Sequence, residues 1–312
     1  MVGFLLLAAS AVLLIGGSEL FAEHASAAGR RFGVTALAVG LVLAGAEPEE
    51  LVTAIVASVR HLPGIAAGDA IGANVTMLTL VLGLAALARP LLIEGRVRTY
   101  ALIASGTGVA AALALLGGRV GRVGGTLLVA AYVAVVGVIW WRERKPPAFG
   151  EVAEIEEAEE EQRSTARRDT RAALLVVLGV AIMALGGWLA VTGAERIVDS
   201  LGLAQSVVGL TFVALATTAE LFALVWAAFR RGGEELAIAG VLGSAVYNAT
   251  ATLGVAALVR PLHVHGVQGP AWLAATLPAA LVAYSLIFKR VGRIGGGLLV
   301  AIYGAYLAFT FA

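Results

Sequence analysis

Cysteine is absent from the 312 residues. That excludes disulfides, thiolate metal sites and cysteine nucleophiles. Histidine is scarce: His24, His61, His263 and His265 are the whole complement. They fall at span ends or in loops, and none pair at the spacing a helical zinc site needs, so a zinc hydrolase lacks its ligands. Charge is thin as well. Only 14% of residues are charged and 60% are hydrophobic, against roughly 25% and 45–50% in a soluble domain. The net charge of +1 carries no signal for nucleic acid, and no nucleic-acid partner is expected.

What fills the chain instead is apolar runs long enough to cross a bilayer, repeated from end to end. They predict an all-α polytopic membrane protein of ten transmembrane helices. The first five spans read as 2–17, 32–59, 64–88, 99–117 and 123–141. The second five read as 171–192, 203–229, 234–258, 268–288 and 294–311. The first run lacks a basic flank and a small-x-small exit, so it reads as a span rather than a cleaved signal. Between the halves, "WRERKPPAFGEVAEIEEAEEEQRSTARRDTR" is too charged for lipid and is a loop, with "EVAEIEEAEEEQ" a solvated acidic segment. Of the 22 basic residues, 17 fall on the side of the odd-numbered connections. The positive-inside rule then places both termini outside.

The halves echo each other. "GRVGGTLLVAAYVAVV" (121–136) returns as "GRIGGGLLVAIYGAYL" (292–307), and "AIGANVTMLTLVLG" (70–83) as "VLGSAVYNATATLG" (241–254). Five spans per copy is an odd number, so the second copy inserts the other way up. The division is 1–141 for the first five-helix repeat, 142–170 for the charged cytoplasmic loop, and 171–312 for the second repeat. Inverted repeats of this kind place a binding site at their interface near the midplane.

Few ionisable residues enter the spans. "AGAEPEELVTAIVAS" (44–58) sets Glu47, Glu49 and Glu50 inside an apolar run. Glu220 lies midway along the seventh span. Matching "EELVTAIVAS" to "AELFALVWAA" pairs Glu50 with Glu220. A carboxylate at mid-bilayer costs about 2.5–3.5 kcal/mol on insertion scales, and a cation held between two of them would offset both costs. Hydroxyls and amides stand nearby: Thr217 and Thr218 within one turn of Glu220, Ser244 and Asn248 four residues apart in the eighth span, Asn74 and Thr76 in the third. Glu47 shares a face with Glu50. This is an oxygen donor set for hard cations such as Ca²⁺ and Na⁺. With sulfur nearly absent, copper and zinc are disfavoured. Gly45 and Pro48 should break the second span and free carbonyls. The second copy has Ala216 and Ala219 there and is expected to kink less. Glu19, Glu23, Glu195 and Asp199, near the ends of the first and sixth spans, read as interfacial. Asp69 sits near a helix end and is given no role.

These segments resemble the two alpha repeats of the calcium/cation antiporter superfamily, the sodium/calcium exchanger type in particular. Each such repeat has a "G-T-S-x-P-E" segment followed by "G-S-x-x-x-N/D". Here "GAEPEELVTAIVAS…GIAAGDAIGANVTMLTLVLG" is similar to the first. "ALATTAELFALVWAAF…ELAIAGVLGSAVYNATATLG" is similar to the second. The resemblance implies that Glu50 and Glu220 match the acidic calcium ligands and that Asn248 completes the site. It also implies that Ser244, Thr217 and Thr218 match Na⁺-binding positions. Departures are plain: Met77 stands opposite Asn248, Ala73 opposite Ser244, Glu47 near a family Ser, and Pro48 one place early, so that Glu49 competes with Glu50. "ATTAE" is also similar to the "G-N-A-A-E" of proton-coupled exchangers.

The function expected from this is secondary antiport of Ca²⁺, or a similar hard cation, for Na⁺. Proton coupling at the same site competes, because close carboxylates in low dielectric cannot all stay ionised. No cofactor is implied; the partners are inorganic cations and the lipid bilayer. A prokaryotic cytoplasmic membrane and a monomer or weak homo-oligomer are expected. A channel would need continuous polar lining, whereas polarity here is confined to one band. An aspartyl-type membrane protease lacks its aspartates.

Overall fold

The structure, a computed structural model, describes residues 1–31, 47–143, 170–231 and 234–312. The second span is therefore seen from Glu47 onward. Gly45 and nearly all of the acidic central loop lie outside the described residues. Among the described residues, nine helical stretches are long and apolar enough to cross a membrane.

In chain order, α1 is Val2–Arg31 and α2 is Pro48–Val59. Then α3, Pro63–Thr76, runs through a π-helical turn, Met77–Val81, into α4, Leu82–Ala88. Next come α5, Gly95–Leu115, and α6, Arg122–Glu143. The second half opens with α7, Thr170–Leu201. Its seventh span is α8, Gln205–Val208, a π turn Gly209–Val213, then α9, Ala214–Thr217, and α10, Ala219–Arg231. The eighth is α11, Glu234–Tyr247, a π turn Asn248–Thr252, and α12, Leu253–Val259. Last are α13, Gln268–Phe288, and α14, Arg293–Phe311.

Local chemistry sets the ends. Pro48 and Pro63 open their helices at positions where a missing N–H costs nothing. α4 and α12 stop at Arg89 and Arg260, both extended; each precedes a proline that disfavours the helical conformation. The three π turns share one feature. Thr79, Thr211 and Thr250, the third residue of each, turn their hydroxyls back onto the carbonyls of Val75, Val207 and Val246. Such back-bonding loosens the helical ladder.

Two helices overrun their expected length. α1 continues past residue 17 to Arg31, and α7 past residue 192 to Leu201. Glu19, Glu23, Glu195 and Asp199 end the apolar run without ending the helix, since acidic side chains in the outer turns of a long helix remain solvated. α1 and α7 lie antiparallel, with Gly3 against the backbone of Gly193 and Gly17 against that of Gly179.

The third and eighth spans form the centre: 83% and 89% of their apolar stretches are buried, against 28% for the first, fifth and tenth. The two repeats cross-link there. Counterparts such as Pro63 and Glu234, Met77 and Asn248, and Leu82 and Leu253 stand 171 residues apart. The same offset relates two bridges. Leu91 pairs with Val291; Val120 pairs with Leu262 within the two-residue strands β1, Arg119–Val120, and β2, Leu262–His263. Each repeat thus hands its connections to the other, and the halves interlock rather than sit side by side. Polar contacts between connections follow the basic-residue sidedness. Arg60 pairs with Glu195, Arg89 with Glu234 at 2.8 Å, and Arg260 with His61 at 2.8 Å.

Candidate functional site

The centre of the bundle holds an unusual store of buried carboxylates. Glu47, Glu49, Glu50, Asp69 and Glu220 are at most 5% exposed. No Lys, Arg or His appears among the buried polar side chains of the described residues.

Glu47 sits just ahead of α2 in a non-helical conformation (φ −92°, ψ 84°), and Pro48 fixes the helix start behind it. Its Oε2 accepts a hydrogen bond from Asn248 Nδ2 at 3.2 Å, across the repeat interface. Ser244 and Glu50 also flank it. Asn248 is the first residue of the π turn that follows α11, and Thr252 donates to its Oδ1 at 3.1 Å. Glu50 is completely buried, and among the described residues neither of its carboxylate oxygens meets a donor; Glu47 Oε1 and Ser244 Oγ likewise have no hydrogen-bond partner there. Glu47, Glu50, Ser244 and Asn248 are thus brought together, with oxygens left unsatisfied.

The Glu220 side is built differently. α9 ends at Thr217, Thr218 leaves helical geometry (ψ 2°), and α10 begins at Ala219. The second copy is therefore interrupted without a proline. The hydroxyls of Thr217 and Thr218 account for it, because both bond back to the carbonyl of Ala214. Glu220 Oε2 accepts a bond from Ser18 of α1 at 2.6 Å. Thr217 Oγ1 donates to Asp69 Oδ1 at 3.0 Å. Asn74 turns its amide to the carbonyl of Ala245 at 2.9 Å and leaves its Oδ1 unpartnered.

Three features differ from the sequence reading. First, α2 starts at Pro48 and α10 at Ala219, so Glu49 and Glu220 are both second residues of their helices. The repeat offset moves the counterpart of Glu220 from Glu50 to Glu49. Second, Asp69 is not at a solvated helix end but fully buried within α3. Third, Ser18, one residue past the predicted first span, is a buried partner of an acid. An aspartate six residues into a helix that Pro63 opens, within an apolar run, was the available signal for the second. Gly72 proves to be a packing residue: a Cβ there would collide with the backbone of Leu210.

Among the described residues, no three His, Asp or Glu groups close into a cluster able to hold a metal ion. A cation at this site would have to draw amide, hydroxyl and carbonyl oxygens as well, and Asn248, Ser244 and the interrupted helices present them.

The sequence profile of a family described as "Sodium/calcium exchanger protein" matches residues 2–141 and 171–312. The inner membrane protein YrbG of Escherichia coli is 26% identical over 316 residues, spanning 97% of this chain and 96% of YrbG. The sodium/calcium exchanger MaX1 of Methanosarcina acetivorans is 36% identical over 95 residues, 30% of this chain and 27% of MaX1. Among solved structures, the sodium-calcium exchanger NCX_Mj soaked with 10 mM Na⁺ and zero Ca²⁺ is similar with a TM-score of 0.62 and 25% identity, covering 99% of both chains.

Proposed function

The chain belongs to the sodium/calcium exchanger protein family, a family of transporters rather than enzymes, and from that premise we propose that this integral membrane cation antiporter exchanges Ca²⁺, or a similar hard divalent cation, for Na⁺. The observation that carries the proposal is the set Glu47, Glu50, Ser244 and Asn248. It is drawn from both repeats, buried, rich in oxygen, and has carboxylate oxygens that meet no hydrogen-bond donor among the described residues. Uncompensated carboxylates in a bilayer interior are costly. Bound cations remove that cost, and the same cost opposes crossing with the site empty, which couples the two fluxes.

In this reading Glu50 and Glu47 take the divalent ion with Asn248 and Ser244. Glu220, Thr217, Thr218 and Asn74 line the path that Na⁺ shares. The repeats 1–141 and 171–312 act as two inverted halves joined by the cytoplasmic segment 142–170, with both termini outside. α1 and α7 pack on each other through glycines, hold the rest through few polar contacts such as Ser18–Glu220 and Arg60–Glu195, and move against it as a pair to switch access. A proton can take the place of Na⁺: Met77 and Ala73 remove polar ligands that a sodium site would use, while Glu47 adds a carboxylate. Proteoliposome flux with Na⁺ and H⁺ gradients imposed separately tests both. Ca²⁺ uptake driven by an outward Na⁺ gradient, abolished in Glu50→Gln and in Glu220→Gln, is the expected result. Full uptake in both variants would refute the assignment, and uptake driven by H⁺ alone would move the coupling to protons.

A further inference from the structure

Asp69 is a carboxylate that the exchange reading leaves unused. It is fully buried. Thr217 satisfies its Oδ1 at 3.0 Å, and its Oδ2 meets no donor among the described residues. The charged groups that face it are Glu47 and Glu50, both of like sign. Thr217 is the last residue of α9, so Asp69 also lies at the negative end of an interrupted helix. Apart from the Thr217 hydroxyl, an ionised carboxylate here meets two others and a helix C-terminus, all of which repel it. Its counterpart at the repeat offset, Gly240, has no side chain, so the acid is particular to the first repeat. Ser244 is a second unpartnered polar side chain, wholly buried, beside Glu47.

We propose that Asp69 is a cation ligand in its own right: with Thr217 and Glu50 it forms a subsite for a hard monovalent cation, so that this chain loads one positive charge more per cycle than Glu47, Glu50 and Glu220 would hold by themselves. The proposal rests on the antiporter reading. A monovalent ion suits it because one carboxylate oxygen, one hydroxyl and the end of a half-helix are the kind of donors that hold Na⁺ in interrupted transporter helices.

The test uses the purified full chain, with Na⁺ and Ca²⁺ as the probes. Asp69→Asn keeps an oxygen to accept the Thr217 hydrogen bond and removes only the charge. Calorimetric titration is expected to show Na⁺ binding weakened about tenfold, as loss of one charge-assisted contact implies. The Na⁺:Ca²⁺ coupling ratio in proteoliposomes falls by one, and Asp69→Glu restores it. Unchanged Na⁺ affinity and coupling in Asp69→Asn, or a wild-type chain that binds no Na⁺, would overturn the subsite. Absence of any Na⁺- or H⁺-driven Ca²⁺ flux in the wild-type chain would instead overturn the antiporter reading, so the two failures are distinct. Should Asp69→Asn not fold, Thr217→Val takes its place. It must weaken Na⁺ without matching loss of Ca²⁺; equal loss of both, or of neither, counts against the proposal.

Discussion

Replacing Gly72 by alanine tests whether the site depends on contact between the repeats. A Cβ built on Gly72 lies 2.7 Å from both the Cα and the carbonyl carbon of Leu210. These are backbone atoms of the facing π turn and cannot rotate away. Carbon–carbon contact is comfortable from about 3.5 Å, so α3 and the seventh span must separate by roughly 1 Å. Overpacking of this kind costs about 1–3 kcal/mol. Gly106 in α5 is the control, because a Cβ there meets nothing within 4 Å. In a helix interior alanine is better than glycine by about 0.8–1.0 kcal/mol. Both glycines lie inside helices, so that gain is common to the two and the overpacking alone should separate the variants, by about 1–3 kcal/mol, with Gly72→Ala the less stable in thermal unfolding of the purified protein. Function follows the same geometry. Gly72 is three residues from Asp69, and a widening of roughly 1 Å takes the Thr217–Asp69 bond outside hydrogen-bonding range. Flux should fall in Gly72→Ala and hold in Gly106→Ala. Equal stability and equal flux in the two variants would refute the close approach and the argument built on it.

The partly exposed Arg60–Glu195 pair joins α7 to the turn after α2; a double-mutant cycle with Arg60→Gln and Glu195→Gln should give a coupling of about 0.5–1 kcal/mol that fades in high salt, and strict additivity would show the pair to be idle. The Glu234 carboxyl is held below its ordinary value of 4.5 by its own backbone N–H and by Arg89. A lowered folded-state value means stabilisation that is present above 4.5 and lost as pH falls through the folded value, so Glu234→Gln should lessen the acid-side fall in melting temperature, by a small amount since the group is exposed. Because the chain has no cysteine, single cysteines report sidedness without background: an impermeant maleimide should label Arg119→Cys from outside intact cells and leave Arg96→Cys untouched, and the reverse pattern would invert the topology.

Apolar run length was enough to find the nine membrane-length stretches seen among the described residues, because hydrocarbon thickness acts on composition directly. It was not enough to find helix ends. α1 and α7 continue beyond their apolar stretches, since a helix can project into water and carry Glu19 or Glu195 with it. The opposed repeats were legible as string similarity, yet string similarity also misaligned them: "EEL" and "AEL" match letter for letter and put Glu50 against Glu220. The physical register is set by Pro48, which fixes where α2 can begin, and it brings Glu49 into that place. Glu47, Ser244 and Asn248 came from donor chemistry and do lie together. Asp69 and Ser18 were missed because their burial comes from the other repeat or from a helix distant in sequence, which no local window records. The π turns had a faint signature, a threonine at the same place in "TMLTLVLG" and "YNATATLG", which only coordinates make readable.

The exchanged bridges, Leu91 with Val291 and Val120 with Leu262, govern the order in which the chain can mature. Synthesis runs from the N-terminus, so the connection around Leu91 reaches the membrane long before its partner exists. It must stand open while some two hundred residues are still to be made. The first half cannot be finished early and stored; it is closed only by segments of the second half. Closure of the first half thus comes late and in two steps, at Leu262 and then at Val291, and a chain that stalls before Val291 holds every span up to Phe288 with the connection around Leu91 still unpaired.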